Sequence, residues 1–179
     1  VNLDLPLEPV RRQKVYLTTA VDIPQSAPFT VDVNNNSYWR PEPGGVIIGW
    51  VDSDEPVSQP SEKVHTDWEF PAIALDKVKR MTPFFEKVEQ TVRQPDMNTS
   101  AGFYVYTPDD QPWIGPVAEV PGFYVNCGYW AGVMLSPEAG KRIAELVTGA
   151  MVSDDNPLRP TRYSEGIVYE GDSFLRGRH

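Results

Sequence analysis

Extended patterns recur in the first third of the chain and predict β-strands: Phe29, Val31 and Val33 alternate with polar residues, and residues 46–51 form an apolar run. A long strand is predicted at residues 9–20, followed by a three-stranded antiparallel meander. The strands of the meander are predicted at residues 29–33, 38–40 and 46–51. Asparagines at 34–36 predict a turn because Asn tolerates positive φ. Residues 52–66 are polar and proline-containing, and we expect a loop.

A helical period begins near Pro71. Five apolar residues are spaced by three or four positions, which predicts one buried helical face: Ala74, Val78, Met81, Phe85 and Val88. Since Pro83 interrupts this run, we expect a break and a second short helix capped by Thr82. Strand-like segments follow at residues 97–106, 113–117 and 122–126.

A last helix is predicted with Ser136 as its N-cap, Pro137 in its first turn and Gly149 at its end. Its apolar stripe contains Ile143, Leu146 and Val147. Residues 151–179 are predicted to form an irregular tail.

Composition excludes several classes of protein. The 179 residues carry 16 basic and 25 acidic side chains, a net charge of -9, so we expect no nucleic-acid partner. Apolar runs fall short of the roughly 20 residues that cross a bilayer, and no secretory signal opens the chain. We therefore expect a cytoplasmic protein without a membrane partner. The single Cys127 and the two histidines, His65 and His179, predict neither disulfides nor a metal site.

Common catalytic motifs are absent, including the G-x-G-x-x-G dinucleotide fingerprint and the G-x-S-x-G nucleophile elbow. Two segments are more informative. Residues 101–116 read AGFYVYTPDDQPWIGP, and residues 121–140 read PGFYVNCGYWAGVMLSPEAG. In this order and spacing they resemble the carboxy-terminal part of the FAD-dependent amine and amino-acid oxidoreductases. That family includes glycine oxidase, D-amino-acid oxidase, the sarcosine oxidase β-subunit and dimethylglycine dehydrogenase.

The resemblance extends over about residues 8–149, because Pro9–Gln13 and residues 38–49 also resemble family segments. It implies an α+β fold, with a substrate-binding domain at residues 1–111 built from a mostly antiparallel sheet with flanking helices. Residues 112–150 would form a strand–loop–helix belonging to an FAD-binding domain. The main FAD-binding motif would lie outside this chain. Since the chain starts at Val1, without methionine, we expect either a preceding segment or a partner subunit.

The resemblance also implies where the flavin lies. A glycine-containing turn lets backbone N–H groups approach a flavin closely, and a helix N-terminus favours its polar edge. The flavin-proximal residues would be Gly128, Tyr129, Trp130, Ala131, Gly132, Val133 and Met134. FAD would be held non-covalently, since Gly102 stands where monomeric sarcosine oxidases attach flavin through cysteine.

Tyr104 occupies the position where glycine and D-amino-acid oxidases have an arginine and where the sarcosine and dimethylglycine branch has tyrosine. This favours secondary or tertiary amines as substrates. Arg40 would then supply the cation for a substrate carboxylate. The expected substrate-binding residues are Tyr38, Arg40, Tyr104, Tyr129 and Trp130. Each has a purely structural alternative, since tyrosines fill sheet faces and a strand arginine is often solvated.

The implied activity is oxidation of a small amino acid or N-alkyl amino acid by hydride transfer to flavin. No catalytic acid or base is assigned. Two alternatives stay open: a dehydrogenase subunit that passes electrons to an acceptor other than oxygen, and a non-catalytic ligand-binding module that retains the substrate-domain fold without flavin.

Overall fold

The computed structural model describes residues 5–18 and 22–169. Within these ranges the β-strands are β1 (Glu8–Thr18), β2 (Thr30–Asp32), β3 (Ser37–Glu42), β4 (Gly45–Trp50), β5 (Met97–Tyr106), β6 (Trp113–Pro116) and β7 (Tyr124–Cys127). The α-helices are α1 (Phe70–Met81), α2 (Phe85–Thr91) and α3 (Gly132–Thr148). Short 3-10 helices occupy Gln94–Asp96, Ser153–Asp155 and Pro160–Tyr163.

The first five strands form one sheet in the order β2-β3-β4-β1-β5, and β6 pairs with β7 in a separate ribbon. The pairs β1 with β4, β3 with β4, and β2 with β3 are antiparallel. The predicted meander is therefore confirmed as β2-β3-β4. The predicted first strand is present up to Thr18, and its last two residues lie outside the described residues.

One face of this sheet forms the main core. Val15 pairs with Ile48, and Ile48 pairs with Trp39, so these three side chains share a face and are all buried. Helix α1 packs on this face through Ala74 and Val78. The α+β fold class, with its antiparallel sheet and flanking helices, is confirmed.

The break between α1 and α2 lies where Pro83 predicts it, but the prediction of Thr82 as the cap of α2 is wrong. Thr82 is extended and ends α1, with its backbone N–H donating to Val78 O at 2.8 Å. Its hydroxyl oxygen accepts a hydrogen bond from the buried Trp39 indole at 3.0 Å. The indole needs an acceptor inside the core, and this tertiary need determines what Thr82 does.

Helix α3 begins at Gly132, so the prediction of Ser136 as its N-cap is wrong. Pro137 lies inside the helix and has no N–H to donate to the Val133 carbonyl. The Ser136 hydroxyl donates to that carbonyl instead, at 2.9 Å. The predicted end of the helix is confirmed, since Gly149 adopts a φ of 76° as its C-cap.

Residues 151–169, part of the predicted irregular tail, contain two 3-10 helices and two fully buried polar side chains, Asn156 and Arg162. The Asn156 amide donates to the Ile114 carbonyl of β6 at 2.6 Å. These buried polar partners hold the segment in place, and its assignment as an irregular tail stays a prediction. Residues 170–179 lie outside the described residues.

The described residues divide into two compact units, one of residues 11–18 and 22–103 and the other of residues 5–10 and 104–169. The division falls within β5, whereas the resemblance places the domain boundary after residue 111, which stays a prediction. Among the described residues, no helix is both long enough and apolar enough to span a membrane.

Candidate functional site

The turn after β7 is built around Gly128. This buried glycine has a φ of 82°, a left-handed conformation that favours glycine. A Cβ at this position would lie 2.5 Å from the Thr107 methyl carbon, so no larger residue fits without movement. The turn is therefore packed directly against the start of the loop at residues 107–112.

Helix α3 starts at Gly132, four residues after Gly128, and its N-terminus carries no acidic residue and no capping side chain. At this end of the helix the Leu135 N–H donates to Ala131 O, at 3.1 Å. The N–H groups of Gly132, Val133 and Met134 precede that bond at the positive end of the helix dipole. The Val133 and Met134 side chains are 90% and 72% exposed.

Tyr129 is held rigidly beside the turn. Its hydroxyl donates to the Asn126 side-chain oxygen, and its ring packs on the cluster formed by Ile114, Ala139 and Leu146. Burial, with a further contribution from Cys127, raises the pKa of Tyr129 to about 12, although Arg142 opposes the shift. Tyr129 is therefore a neutral hydroxyl at physiological pH. Trp130, the next residue, is half-buried.

Tyr104 lies on β5 in the same unit as Gly128 and Tyr129. Its ring centroid is 6.5 Å from that of Tyr106, which is fully buried. Tyr106 fills the core, and the half-buried Tyr104 keeps part of its ring accessible.

Tyr38 and Arg40 lie in the other unit, on β3. Because Trp39 points into the core, its two neighbours point to the opposite face of the sheet. The Tyr38 ring covers Gly49 of β4, where an added Cβ would lie 2.2 Å from the ring. Arg40 is half-exposed and forms an ion pair with Glu42 on the same strand.

Lys14 and Tyr16 of β1 share this face, since they pair with Gly49 and Ile47 of β4, the residues that pair with Tyr38 and Arg40. The sequence predicts a strand at residues 9–20, but it does not assign Lys14 to this surface. Strand register, which depends on β1 pairing with β4 some 30 residues away, decides that placement.

Arg11, which also lies on β1, has a structural role. Its buried guanidinium pairs with Glu55 at 2.7 Å and with Asp67 at 2.6 Å, and Gln13 donates to Asp67 at 2.8 Å. The hydrogen bonds that Arg11 donates to Glu55 and Asp67 raise the pKa of Arg11, and the bond from Arg11 lowers the pKa of Asp67. A cavity of about 140 Å³ beside this network contains none of the predicted site residues.

Sequence reasoning also missed an ion pair between Asp109 and Arg162. Both side chains are almost completely buried, and the two residues are 53 positions apart. Asp109 lies in a turn-rich loop and Arg162 in the predicted tail, so no local pattern connects them.

Residues 1–146 match the sequence profile of the family described as FAD dependent oxidoreductase, DAO. This chain belongs to that family. Mouse mitochondrial dimethylglycine dehydrogenase is 25% identical over 182 residues, which cover 92% of this chain and 20% of the relative. Glycine oxidase from Pseudomonas putida is 27% identical over 162 residues, covering 89% of this chain and 40% of the relative. The family member described here thus spans about one-fifth to two-fifths of these relatives.

Solved structures share its fold. L-proline dehydrogenase from P. horikoshii superposes with a TM-score of 0.74 at 22% identity, covering 94% of this chain and 43% of the other. Glycine oxidase from Geobacillus kaustophilus gives a TM-score of 0.68 at 24% identity, covering 89% and 40%. In both cases this chain spans less than half of the solved chain.

The cofactor of the family is FAD, and the residues around Gly128 fit such a group. A buried glycine lets the backbone pass close to a planar ring, and the adjacent helix start offers N–H donors to its carbonyl oxygens. Val133 and Met134 supply exposed apolar surface at the same helix end. The donor set contains no acidic group in this first helical turn that would repel an electron-rich cofactor.

Proposed function

We propose that this chain is the substrate-binding part and the carboxy-terminal strand–loop–helix of an FAD-dependent enzyme that oxidises a small amino acid or N-alkyl amino acid. The observation that carries the proposal is the Gly128 turn leading into the open N-terminus of α3, within a chain matched to the family over residues 1–146. The names of the relatives, dimethylglycine dehydrogenase and glycine oxidase, support the substrate class.

In this proposal the residues from Gly128 to Met134 hold the flavin ring non-covalently, through backbone N–H groups and the apolar side chains at the start of α3. FAD, when bound, supplies the two-electron acceptor, which takes a hydride in the proposed oxidation. The main FAD-binding motif lies outside this chain. Tyr129 stays protonated and orients the turn through its bond to Asn126.

The proposed substrate contacts are Tyr38, Arg40, Tyr104, Tyr129 and Trp130. The tyrosines offer hydroxyl and aromatic contacts to an amine. Arg40 would bind the carboxylate in a planar, two-point interaction, and the substrate would replace Glu42 as its partner. Exchange of one carboxylate for another requires no free cation in the unliganded enzyme.

The outer face of α3 supports the proposal that a further part of the FAD-binding domain packs against this helix. Residues spaced by four and three positions along this face are exposed and uncharged: Val133, Pro137, Gly140, Ala144 and Val147. The opposite face is packed through Ala139 and Leu146. A helix with an uncharged face on each side is typical of one that is buried on both sides. We propose that the remainder of the domain covers the outer face.

The substrate class is tested with the full-length enzyme and a panel of sarcosine, dimethylglycine, glycine and L-proline, with either oxygen or an artificial dye as electron acceptor. We expect turnover of N-alkyl amino acids to exceed that of glycine, because Tyr104 replaces the arginine of glycine oxidases. Turnover of glycine alone would contradict this substrate preference. Activity only with the dye would identify a dehydrogenase, and the absence of both FAD and turnover would leave the non-catalytic module.

A further inference from the structure

The loop at residues 107–112 contacts the Gly128 turn and is held by a buried ion pair. Arg162 Nε donates to Asp109 Oδ2 at 3.0 Å, and Arg162 Nη2 donates to Asp109 Oδ1 at 2.9 Å. The Arg162 side chain is fully buried, and Asp109 is 2% exposed. Two parallel charged bonds fix both the distance and the orientation of the two groups.

Arg162 does more than neutralise Asp109. Its remaining N–H groups donate to backbone carbonyls on both sides: Gln111 at 2.9 Å, Pro112 at 3.3 Å, Leu158 at 3.2 Å and Arg159 at 3.3 Å. The guanidinium carbon also lies 4.8 Å from the centroid of the Tyr163 ring. One side chain therefore connects the loop to the carboxy-terminal segment through contacts that a lysine ammonium, with three donors at one point, cannot reproduce.

Asp109 organises the loop around this charge. The Tyr163 hydroxyl donates to Asp109 Oδ1 at 2.6 Å, and the Asp109 carboxylate accepts the Gln111 N–H at 3.2 Å. The Thr107 hydroxyl lies 3.0 Å from the same carboxylate oxygen and 2.7 Å from the Gln111 carbonyl. Asp110, the next residue, has a φ of 57°, in the left-handed region that Asp tolerates better than most other non-glycine residues.

Thr107 connects this loop to the Gly128 turn. Its methyl carbon occupies the space beside Gly128, where a Cβ would lie 2.5 Å away. Contacts thus run without interruption from Arg162 through Asp109 and Thr107 to Gly128, all within one compact unit. A shift of the loop by a fraction of an ångström would change the space available to the turn.

We propose that Arg162 is a positioning residue for the flavin: through Asp109 and Thr107 it sets the conformation of the Gly128 turn that faces the cofactor. This inference rests on the proposed function, since it takes the turn to be flavin-proximal. Arg162 itself touches neither substrate nor cofactor in this scheme.

The test compares variants of the full-length, FAD-loaded enzyme. Arg162→Lys keeps the charge but loses the fork of donors. Arg159→Lys is the matched control from the same segment, because the Arg159 guanidinium bonds Glu165 and the carbonyls of Asp154 and Asn156 rather than Asp109. Val88→Ala, in the core of the other unit, controls for lost stability alone. The measurements are the FAD dissociation constant, the visible absorbance and circular dichroism of bound flavin, and hydrogen exchange at residues 127–129.

We expect Arg162→Lys to weaken FAD binding about tenfold or more, to change the flavin spectrum and to speed exchange at residues 127–129. Arg159→Lys and Val88→Ala should leave all three unchanged at temperatures where they are folded. If Arg162→Lys lowers thermal stability as Val88→Ala does but leaves the FAD constant and spectrum unaltered, the positioning role is overturned and the proposed function stands. A wild-type enzyme that binds no FAD overturns the proposed function itself.

Discussion

The proposed role of Arg40 depends on its ion-pair partner, Glu42. Arg40 lies half-exposed on the sheet face opposite the core and pairs with Glu42 two residues along the same strand. A surface pair of this kind contributes little to stability. It does, however, hold the guanidinium at a fixed place on β3, where a substrate carboxylate could take over the bond.

Changing either partner of this pair should move KM in opposite directions. Arg40→Ala should raise KM for an amino-acid substrate roughly 10- to 100-fold, the value of one or two charged hydrogen bonds. Glu42→Gln should lower KM because it removes the competing carboxylate. Steady-state kinetics on the full-length enzyme provide the measurement, with Arg80→Gln on α1, a surface arginine paired with Asp76, as the charge-matched control. Equal KM values for wild type and Arg40→Ala would assign Arg40 to the solvated surface.

Asp109 makes stability depend on pH in the acidic range. Burial by itself would raise the pKa of Asp109, but the hydrogen bonds and charge of Arg162, together with the Tyr163 hydroxyl, lower it from 3.8 to about 2. A depressed carboxyl pKa contributes stability above its ordinary value, and the contribution is lost as pH falls through the folded-state value. We therefore expect the free energy of unfolding to decline between about pH 4 and pH 2.

Asp109→Asn tests this account by urea unfolding of the full-length protein at a series of pH values. At pH 7 the variant should lose about 3–5 kcal/mol, because it leaves the Arg162 charge buried without a counter-ion. Its stability should also fall less steeply than that of wild type across the acidic range. Glu62→Gln in the exposed loop provides the control. Parallel pH profiles for wild type and Asp109→Asn would show that another group governs the acid transition.

At the scale of elements, the sequence correctly predicts the strands and helices that a local pattern of apolar residues determines. The alternation at residues 29–33, the apolar run at residues 46–51 and the helical spacing of Ala74 and Val78 led to the correct elements, because each pattern reports where side chains are buried. The caps were wrong for a shared reason. Thr82 and Ser136 are good caps by type, but their hydroxyls bond the Trp39 indole and the Val133 carbonyl, to which Pro137 cannot donate. Such partners are fixed by packing or by a nearby proline, and the residue type alone does not reveal them.

The turn between β7 and α3 gives an element-scale prediction. Gly128→Ala should cost about 1–3 kcal/mol and weaken FAD binding, since the new methyl group meets the Thr107 methyl and the backbone has positive φ. Thr107→Ser removes that methyl while keeping the hydroxyl. The double variant should therefore recover part of the lost FAD affinity, as measured by fluorescence titration of the full-length protein. Additive effects of the two changes would show that the close approach of Thr107 does not shape the turn.

At the scale of the whole molecule, this chain accounts for only part of the proposed enzyme. It spans 20% of the mouse dimethylglycine dehydrogenase and 40% of the Pseudomonas putida glycine oxidase. The family could be inferred from the motifs at residues 101–116 and 121–140, because their spacing is specific. The Asp109–Arg162 pair could not be inferred from the sequence, because the fold alone brings those residues together.

The exposed face of α3 should be sensitive to charge in the full-length protein. Val147→Lys should destabilise it by about 2 kcal/mol or more, because a buried apolar contact is lost and an unpaired cation is placed in its position. Val33→Lys is the matched control, since Val33 is similarly exposed, at 49% against 58%, but lies in a surface turn of the other unit. Thermal unfolding measures both. Equal, small effects would indicate that this face of α3 stays in contact with solvent.

The central claim is that this chain forms part of an amine-oxidising flavoenzyme. Its most direct test is the absorbance of the full-length protein between about 350 and 460 nm during anaerobic addition of sarcosine or dimethylglycine. The account predicts flavin bands that bleach on substrate addition. A folded full-length protein that shows no flavin bands, even after incubation with FAD, would contradict it.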